Sequence, residues 1–245
     1  MKLVNIKIIA LLVISYSIAL VAMTPLSWLM PYIEPVVAAQ GIRLANVEGS
    51  VWQGKAVINE KIVGNVGFNW DVDVLSLVLL KAPVEIELTN SATDLKGTLV
   101  LTPFSVAIEN ATGHVDEVAV KSIYQSYRAD IQGRLQLDEV SAKMGWDKTL
   151  AEASGTLSWS GGPISIPVGR STQSFIVPTM LGTISSTESQ WQAEVKGSTG
   201  ETYIDASLTS DGVGTLSIKR ELATEMKIPV PGSGSSLFDI SQQVF

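Results

Sequence analysis

Val84-Glu85-Ile86-Glu87-Leu88-Thr89 alternates apolar and polar side chains, and the reading of this stretch decides the fold class. A side-chain period of two puts Val84, Ile86 and Leu88 on one face of an extended chain and both glutamates on the other, as in a strand with one buried face. The alternation recurs outward from it. Phe104, Val106 and Ile108 interleave with Ser105, Ala107 and Glu109, and Ile131, Gly133, Leu135 and Leu137 with Gln132, Arg134 and Gln136. Further runs cover 190–196, 202–208 and 215–219. Asn110-Ala111-Thr112-Gly113, Ser160-Gly161-Gly162-Pro163, Ser198-Thr199-Gly200-Glu201 and Ser210-Asp211-Gly212 read as turns between strands. A Gly-x-Leu-x-apolar pattern begins at Gly97, Gly133, Gly155 and Gly214. Its irregular spacing excludes a solenoid and suits strand starts in an antiparallel meander that bends at glycines. The sequence thus predicts a mainly β protein, a curved antiparallel sheet domain with two short helices. One helix is expected over 74–80, capped by Asp73, and one over 117–127.

Upstream the pattern changes. Between Ile8 and Ile33 no residue is charged, and Ile8, Leu11, Leu12, Ile14, Ile18, Leu20 and Val21 make an almost unbroken aliphatic run. A membrane span needs roughly 20 apolar residues, which 8–30 supplies, with Trp28 and Tyr32 placed for an aromatic belt. Lys2 and Lys7 precede the run and the first charge after it is Glu34, so the positive-inside rule keeps residues 1–7 cytoplasmic and exports the rest. The competing reading is a cleaved signal peptide ending at Val37-Ala38-Ala39 before Gln40; Pro25, Pro31 and Pro35 and the distance from the apolar run favour an uncleaved anchor. The exported β domain is expected over 31–228, followed at 229–245 by a Pro/Gly/Ser linker and an apolar tail. Phe238, Ile240, Val244 and the terminal Phe245 suit the last strand of an outer-membrane barrel, but a protein held in the inner membrane cannot reach the outer one and repeated outward apolar bands are missing, so an apolar tail that adds at most a last strand is expected.

Composition narrows the chemistry. The 245 residues include no cysteine and one histidine, His114, which removes thiol catalysis, disulfides, zinc ribbons and any site needing two imidazoles. His114-Val115-Asp116 lacks further ligands and reads as a surface turn. Charged residues are 17%, against a usual value of about 25%, and mean hydropathy is +0.28. Setting Lys2 and Lys7 apart leaves 15 basic against 24 acidic residues, so the exported part carries −9. No basic stripe exists to hold nucleic acid or anionic headgroups by bulk charge. No nucleophile elbow, dinucleotide fingerprint or P-loop occurs, so no cofactor is expected. The Glu85/Glu87 and Asp71/Asp73 pairs read as solvent-facing rather than as a glycosidase pair. Neither a catalytic nor a metal site is expected.

The tryptophans say more. Gly49-Ser-Val-Trp52-Gln-Gly54 and Gly155-Thr-Leu-Ser-Trp159-Ser-Gly161 set an indole between glycines, and Gly67-Phe-Asn-Trp70 adds a third. Trp52, Trp70 and Trp159, with Gly49 and Gly54, are either core residues or an apolar contact surface opened by the glycines.

The order of these features is that of a family. The short anchor, Gly49-Ser-Val-Trp52-Gln-Gly54, Trp70-Asp-Val-Asp-Val-Leu75-Ser-Leu-Val-Leu-Leu-Lys-Ala and the later Gly155-Thr-Leu-Ser-Trp159 resemble the bacterial type II secretion system protein N. The resemblance covers most of the chain. It implies an accessory inner-membrane protein with a periplasmic domain, no enzymatic activity, and other type II secretion components as partners in the export of folded proteins across the outer membrane. The alternative, from a different class, is lipid handling by an apolar β groove, and a hydrolase is the third.

Overall fold

The structure is a computed structural model and describes residues 8–9, 12–13, 16, 25–39, 41–60, 64–121, 124, 128–168, 171–187, 190–228 and 234–245. Sixteen strands follow one another: β1 (Arg43–Gly49), β2 (Gln53–Glu60), β3 (Gly64–Val72), β4 (Ala82–Thr89), β5 (Thr93–Leu101), β6 (Ser105–Asp116), β7 (Asp130–Ile131) and β8 (Arg134–Gly145), then β9 (Leu150–Trp159), β10 (Gly162–Val168), β11 (Ser171–Val177), β12 (Met180–Ser186), β13 (Gln190–Gly197), β14 (Thr202–Thr209), β15 (Val213–Lys219) and β16 (Ser236–Gln243). Thirteen of them form one antiparallel sheet in chain order, and β11, β10 and β7 form a small second sheet beside it. Hairpin after hairpin of period-2 sequence has one economical solution, a meander in which each strand pairs with its predecessor.

Register explains the alternation. Directly opposite residues share a face, and Ala56, Phe68, Leu88, Leu95, Gly113, Leu137, Leu157, Gly182, Val195, Ile204, Ile218 and Phe238 stand opposite one another across twelve consecutive strands. Every position in that row is apolar or glycine. The neighbouring row on the other face holds Asp138, Thr156, Thr183, Glu194, Asp205, Ser217 and Asp239. A one-residue slip anywhere would exchange the two faces, so the register is strongly specified. The apolar face is only partly covered, because most of its residues are half-buried. Among the described residues Tyr203 is the one large side chain below 2% exposure.

The sheet is curved. A flat sheet would hold β9 and β16, five strand spacings apart, about 24 Å from each other. Yet the Lys148 ammonium, in the β8–β9 turn, lies 5.3 Å from the ring of Phe245, just past β16. Bulges interrupt the ladder within that arc, between Asp138 and Ser141 in β8, at Val195/Lys196 in β13 and at Ile218/Lys219 in β15, and before it, at Lys96/Thr98 in β5 and on both sides of Ala111 in β6. Asn110-Ala111-Thr112-Gly113 is therefore a doubly bulged strand rather than the expected turn. Positive φ at Asn110 and Gly113 serves a bulge as well as a turn. Gly97 and Gly155 likewise stand inside β5 and β9 rather than at their starts.

Helices are few. Val74–Leu79 forms a 3-10 helix whose first turn is capped by Asp73, which accepts from the Leu75 amide at 3.0 Å and the Ser76 hydroxyl at 2.5 Å. Glu117–Val120 begins the second expected helix as a 3-10 turn with Ala119 buried; residues 122–123 and 125–127 lie outside the described residues. The described residues hold further helices, among them a 3-10 turn at Leu26–Trp28. α1 (Met30–Ala39) takes the first residues of the expected 31–228 domain and packs beside β1, and α2 (Arg220–Glu225) packs on β14 and β15. Nor does the sheet end at 228, since the apolar tail supplies β16. Among the described residues no helix is long and apolar enough to cross a membrane. Of the expected span, Ile8 and Leu12 are helical and exposed, while Leu11, Ile14, Ile18, Leu20 and Val21 lie outside the described residues.

Candidate functional site

Four of the five singled-out residues meet at one end of the first three strands. Gly54 stands opposite Trp70 in the β2–β3 ladder. A Cβ on Gly54 would come within 2.7 Å of the Trp70 ring, so the glycine exists because the indole lies across it. Trp70 stacks on Phe68 with ring centroids 5.5 Å apart and donates its Nε1–H to the Ser50 carbonyl at 3.2 Å. Ser50 in turn accepts from the Trp52 and Gln53 amides on its hydroxyl, which shapes the β1–β2 turn; Gly49 closes on Gly54 there with a positive φ. The Trp52 indole N–H is buried without a partner. Trp159 is elsewhere, opposite Leu135 and Met180 at the other end of the sheet. It too lies across a glycine, Gly133, where an added Cβ would meet the ring at 2.7 Å. The indoles are half-buried parts of the apolar face. They are neither enclosed core nor freely exposed.

Two concavities flank this framework. On the apolar face, Ile58, Val66, Leu88, Thr93, Leu95, Val115, Ala119 and Val120 line a cavity of 380 Å³ beneath the 117–120 turn. Thr93 is 5% exposed and its hydroxyl has no partner. Alternation along each strand announced these apolar residues singly; their meeting depends on register between strands far apart in sequence, which no local pattern displays.

The polar face holds a cleft of 540 Å³ lined by Asn69, Asp71, Glu85, Glu87, Lys96 and Thr98, among others. Glu87 bonds Lys96 at 2.9 Å and accepts from the Asn69 amide at 3.0 Å, and these two partners hold its carboxyl below the usual range. Asp71 and Glu85 stand directly opposite each other. His114 sits in β6, not in a turn, between Asp94 and Gln136 on the polar face. Its neighbour Asp116 is taken by Arg134 at 2.5 Å, which lowers its pKa. Among the described residues no group of three or more His, Asp or Glu side chains is placed to hold a metal ion.

Fold and face together define an open antiparallel β-sheet protein, apolar on one side and acidic-polar on the other. Strands β1 to β15 and the tryptophan–glycine pairs lie inside a larger match. The family model of type II secretion system (T2SS), protein N matches residues 40–232, and the chain belongs to that family. It is a component of the type II secretion system, a protein-transport machine whose other components are its partners. No curated protein matches the chain, and no solved structure does.

Proposed function

We propose that the protein is held in the bacterial inner membrane by one N-terminal span, with residues 1–7 cytoplasmic and the sheet periplasmic. There it assists export of folded periplasmic proteins across the outer membrane by non-covalent contacts with other secretion components, without catalysis of its own. The observation that carries this reading is the apolar row over twelve strands, left half-covered, in a member of a secretion family. Exposed β-edges add a second means of contact, because an unpaired strand can take a partner strand. A photo-crosslinking side chain at Leu157 or Ile240 in cells should give adducts with other type II components. Adducts with phospholipid alone, or none at all, would remove the protein-contact reading.

The second reading, a lipid carrier, is favoured by one observation, the 380 Å³ cavity lined almost wholly by carbon. An acyl chain gains roughly 0.8 kcal/mol per buried CH₂ there. Native mass spectrometry of the purified protein distinguishes the two, since stoichiometric phospholipid supports a carrier and a bare chain does not.

A further inference from the structure

From β3 to β9 the two rims of the sheet differ in character, although further along the first rim the β12–β13 and β14–β15 connections, 187–189 and Ser210-Asp211-Gly212, are polar. Three successive connections at one rim carry large apolar side chains into solvent. The 3-10 helix joining β3 to β4 exposes Leu75 by 84%, Val78 by 85%, Leu79 by 73% and the following Leu80 by 69%. The β5–β6 turn exposes Phe104 by 82%, and the β8–β9 turn exposes Trp146 by 58%. These are not frayed tips. Asp73 caps the helix, the Trp146 amide donates to the Phe104 carbonyl at 3.1 Å, and the Trp146 indole donates to the Thr102 carbonyl at 2.9 Å. The chain holds these side chains outward while its own apolar face offers room to bury them. At the opposite rim, roughly 30 Å away along a nine-residue strand, the turns are Asn90-Ser91, Ser160-Gly161 and Ser198-Thr199-Gly200. Val118 and Ile176 are exposed away from the apolar rim, but singly, which is ordinary.

We infer that the rim bearing Leu75, Val78, Leu79, Phe104 and Trp146 inserts into the surface of a phospholipid bilayer. Two observations favour lipid over a protein groove. First, the side chains stand on the tips of separate turns along a row of strand ends; a fluid surface receives such a row without matching its shape. Second, the chain reaches the sheet at this same rim, where Pro25, within the uncharged stretch from Ile8 to Ile33, bridges Ser50 of the β1–β2 turn. Depths of about 5–10 Å are typical of interfacial apolar elements, and tryptophan suits that depth. The strands then stand upright on the membrane, with the polar turns and the tryptophan–glycine pair of Trp159 and Gly133 facing away from it. This deepens the inner-membrane reading proposed above, and its test separates the two.

The chain has no cysteine, so single-cysteine labelling of the full-length protein is clean. A polarity-sensitive fluorophore is attached at Leu79→Cys, Phe104→Cys, Ser91→Cys, Ser198→Cys or Val13→Cys, with the protein reconstituted in phosphatidylethanolamine–phosphatidylglycerol vesicles carrying a lipid-borne quencher. Labels at 79 and 104 should be blue-shifted and quenched, and labels at 91 and 198 should read as water. Adding Leu75→Glu and Leu79→Glu, both at exposed positions, should at least halve quenching at 104. Water-like labels at 79 and 104 with a quenched label at 13 would overturn the rim proposal, leave the anchor standing, and assign the rim to a protein partner. A water-like label at 13 with quenched rim labels would support the rim and defeat the anchor.

Discussion

At the scale of single residues, the glycines opposite tryptophan are the positions most intolerant of change. Gly133 combines a φ of +145° with an indole where its Cβ would go, whereas Gly200, at φ +87°, has nothing within 4 Å. Both alanine variants carry the left-handed backbone cost of roughly 1–2 kcal/mol, and Gly133→Ala adds an overpacking cost of about 1–3 kcal/mol. Urea denaturation should therefore show Gly133→Ala well below Gly200→Ala. Trp70→Ala should cost roughly 2–3 kcal/mol, less than a fully enclosed indole, while Trp146→Ala should cost under about 1 kcal/mol. The sequence marked Trp52, Trp70 and Trp159 with Gly49 and Gly54 as core residues or an apolar contact surface, not as rings laid across backbone. It did not show which glycine serves which ring: Trp52 and Trp159 each sit between glycines in sequence, yet Gly54 receives Trp70 and Gly133 receives Trp159. Those pairings cross the ladder rather than follow the chain.

Among elements, the strands were legible and the bulges were not. Ser105–Asp116 alternates cleanly only as far as Glu109, after which residues with positive φ imitate a turn. Ser236–Gln243 was announced only as an apolar tail able to add a last strand, because an edge strand with one half-covered face carries two strongly apolar residues, Phe238 and Ile240, amid polar ones. Arg220–Glu225 has no apolar period and owes its helix to packing on β14 and β15. The 3-10 helix at Val74–Leu79 was signalled by its cap, and Asp73→Ala should loosen it by about 1 kcal/mol, seen as faster amide exchange at Leu75 and Ser76. Ion pairs between strands set the acid behaviour. The Lys96 and Arg134 partners hold the carboxyls of Glu87 and Asp116 below their unfolded values, and the Ser217 and Ser236 hydroxyls do the same for Asp239. Carboxylates of that kind contribute stability that is complete above the unfolded pKa of about 4 and is lost as pH falls through the lower folded value. The melting temperature should thus stay flat from about pH 5 to 8 and drop below about pH 4. Asp239 is exposed and Glu87 and Asp116 are partly exposed, so the drop should shrink in high salt.

For the whole molecule, the design is a thirteen-stranded sheet with a three-stranded sheet beside it and, among the described residues, only short helical elements packed on it. Its apolar face is continuous, its ends differ in polarity, and its chain order is its strand order. Removing 236–245 strips β16 from Leu216 and Ile218 and uncovers an apolar edge, so the truncated protein should self-associate on size-exclusion chromatography. Sequence periodicity foretold a one-faced sheet, and the absence of cysteine foretold that its core must hold without disulfides. Curvature was expected from the glycines along the strands, but which parts it brings together, the approach of Lys148 to Phe245 and the apolar cavity among them, depends on long-range register and was beyond local pattern. The central claim is that this sheet, fixed at the inner membrane, serves type II secretion. It is tested most directly by the ratio of a folded secretion substrate in the medium to that in the periplasm, in cells lacking the gene and in the same cells carrying it again. Substrate should be retained in the periplasm without the gene and released again when the full chain is restored. An unchanged ratio for every exported substrate would contradict it.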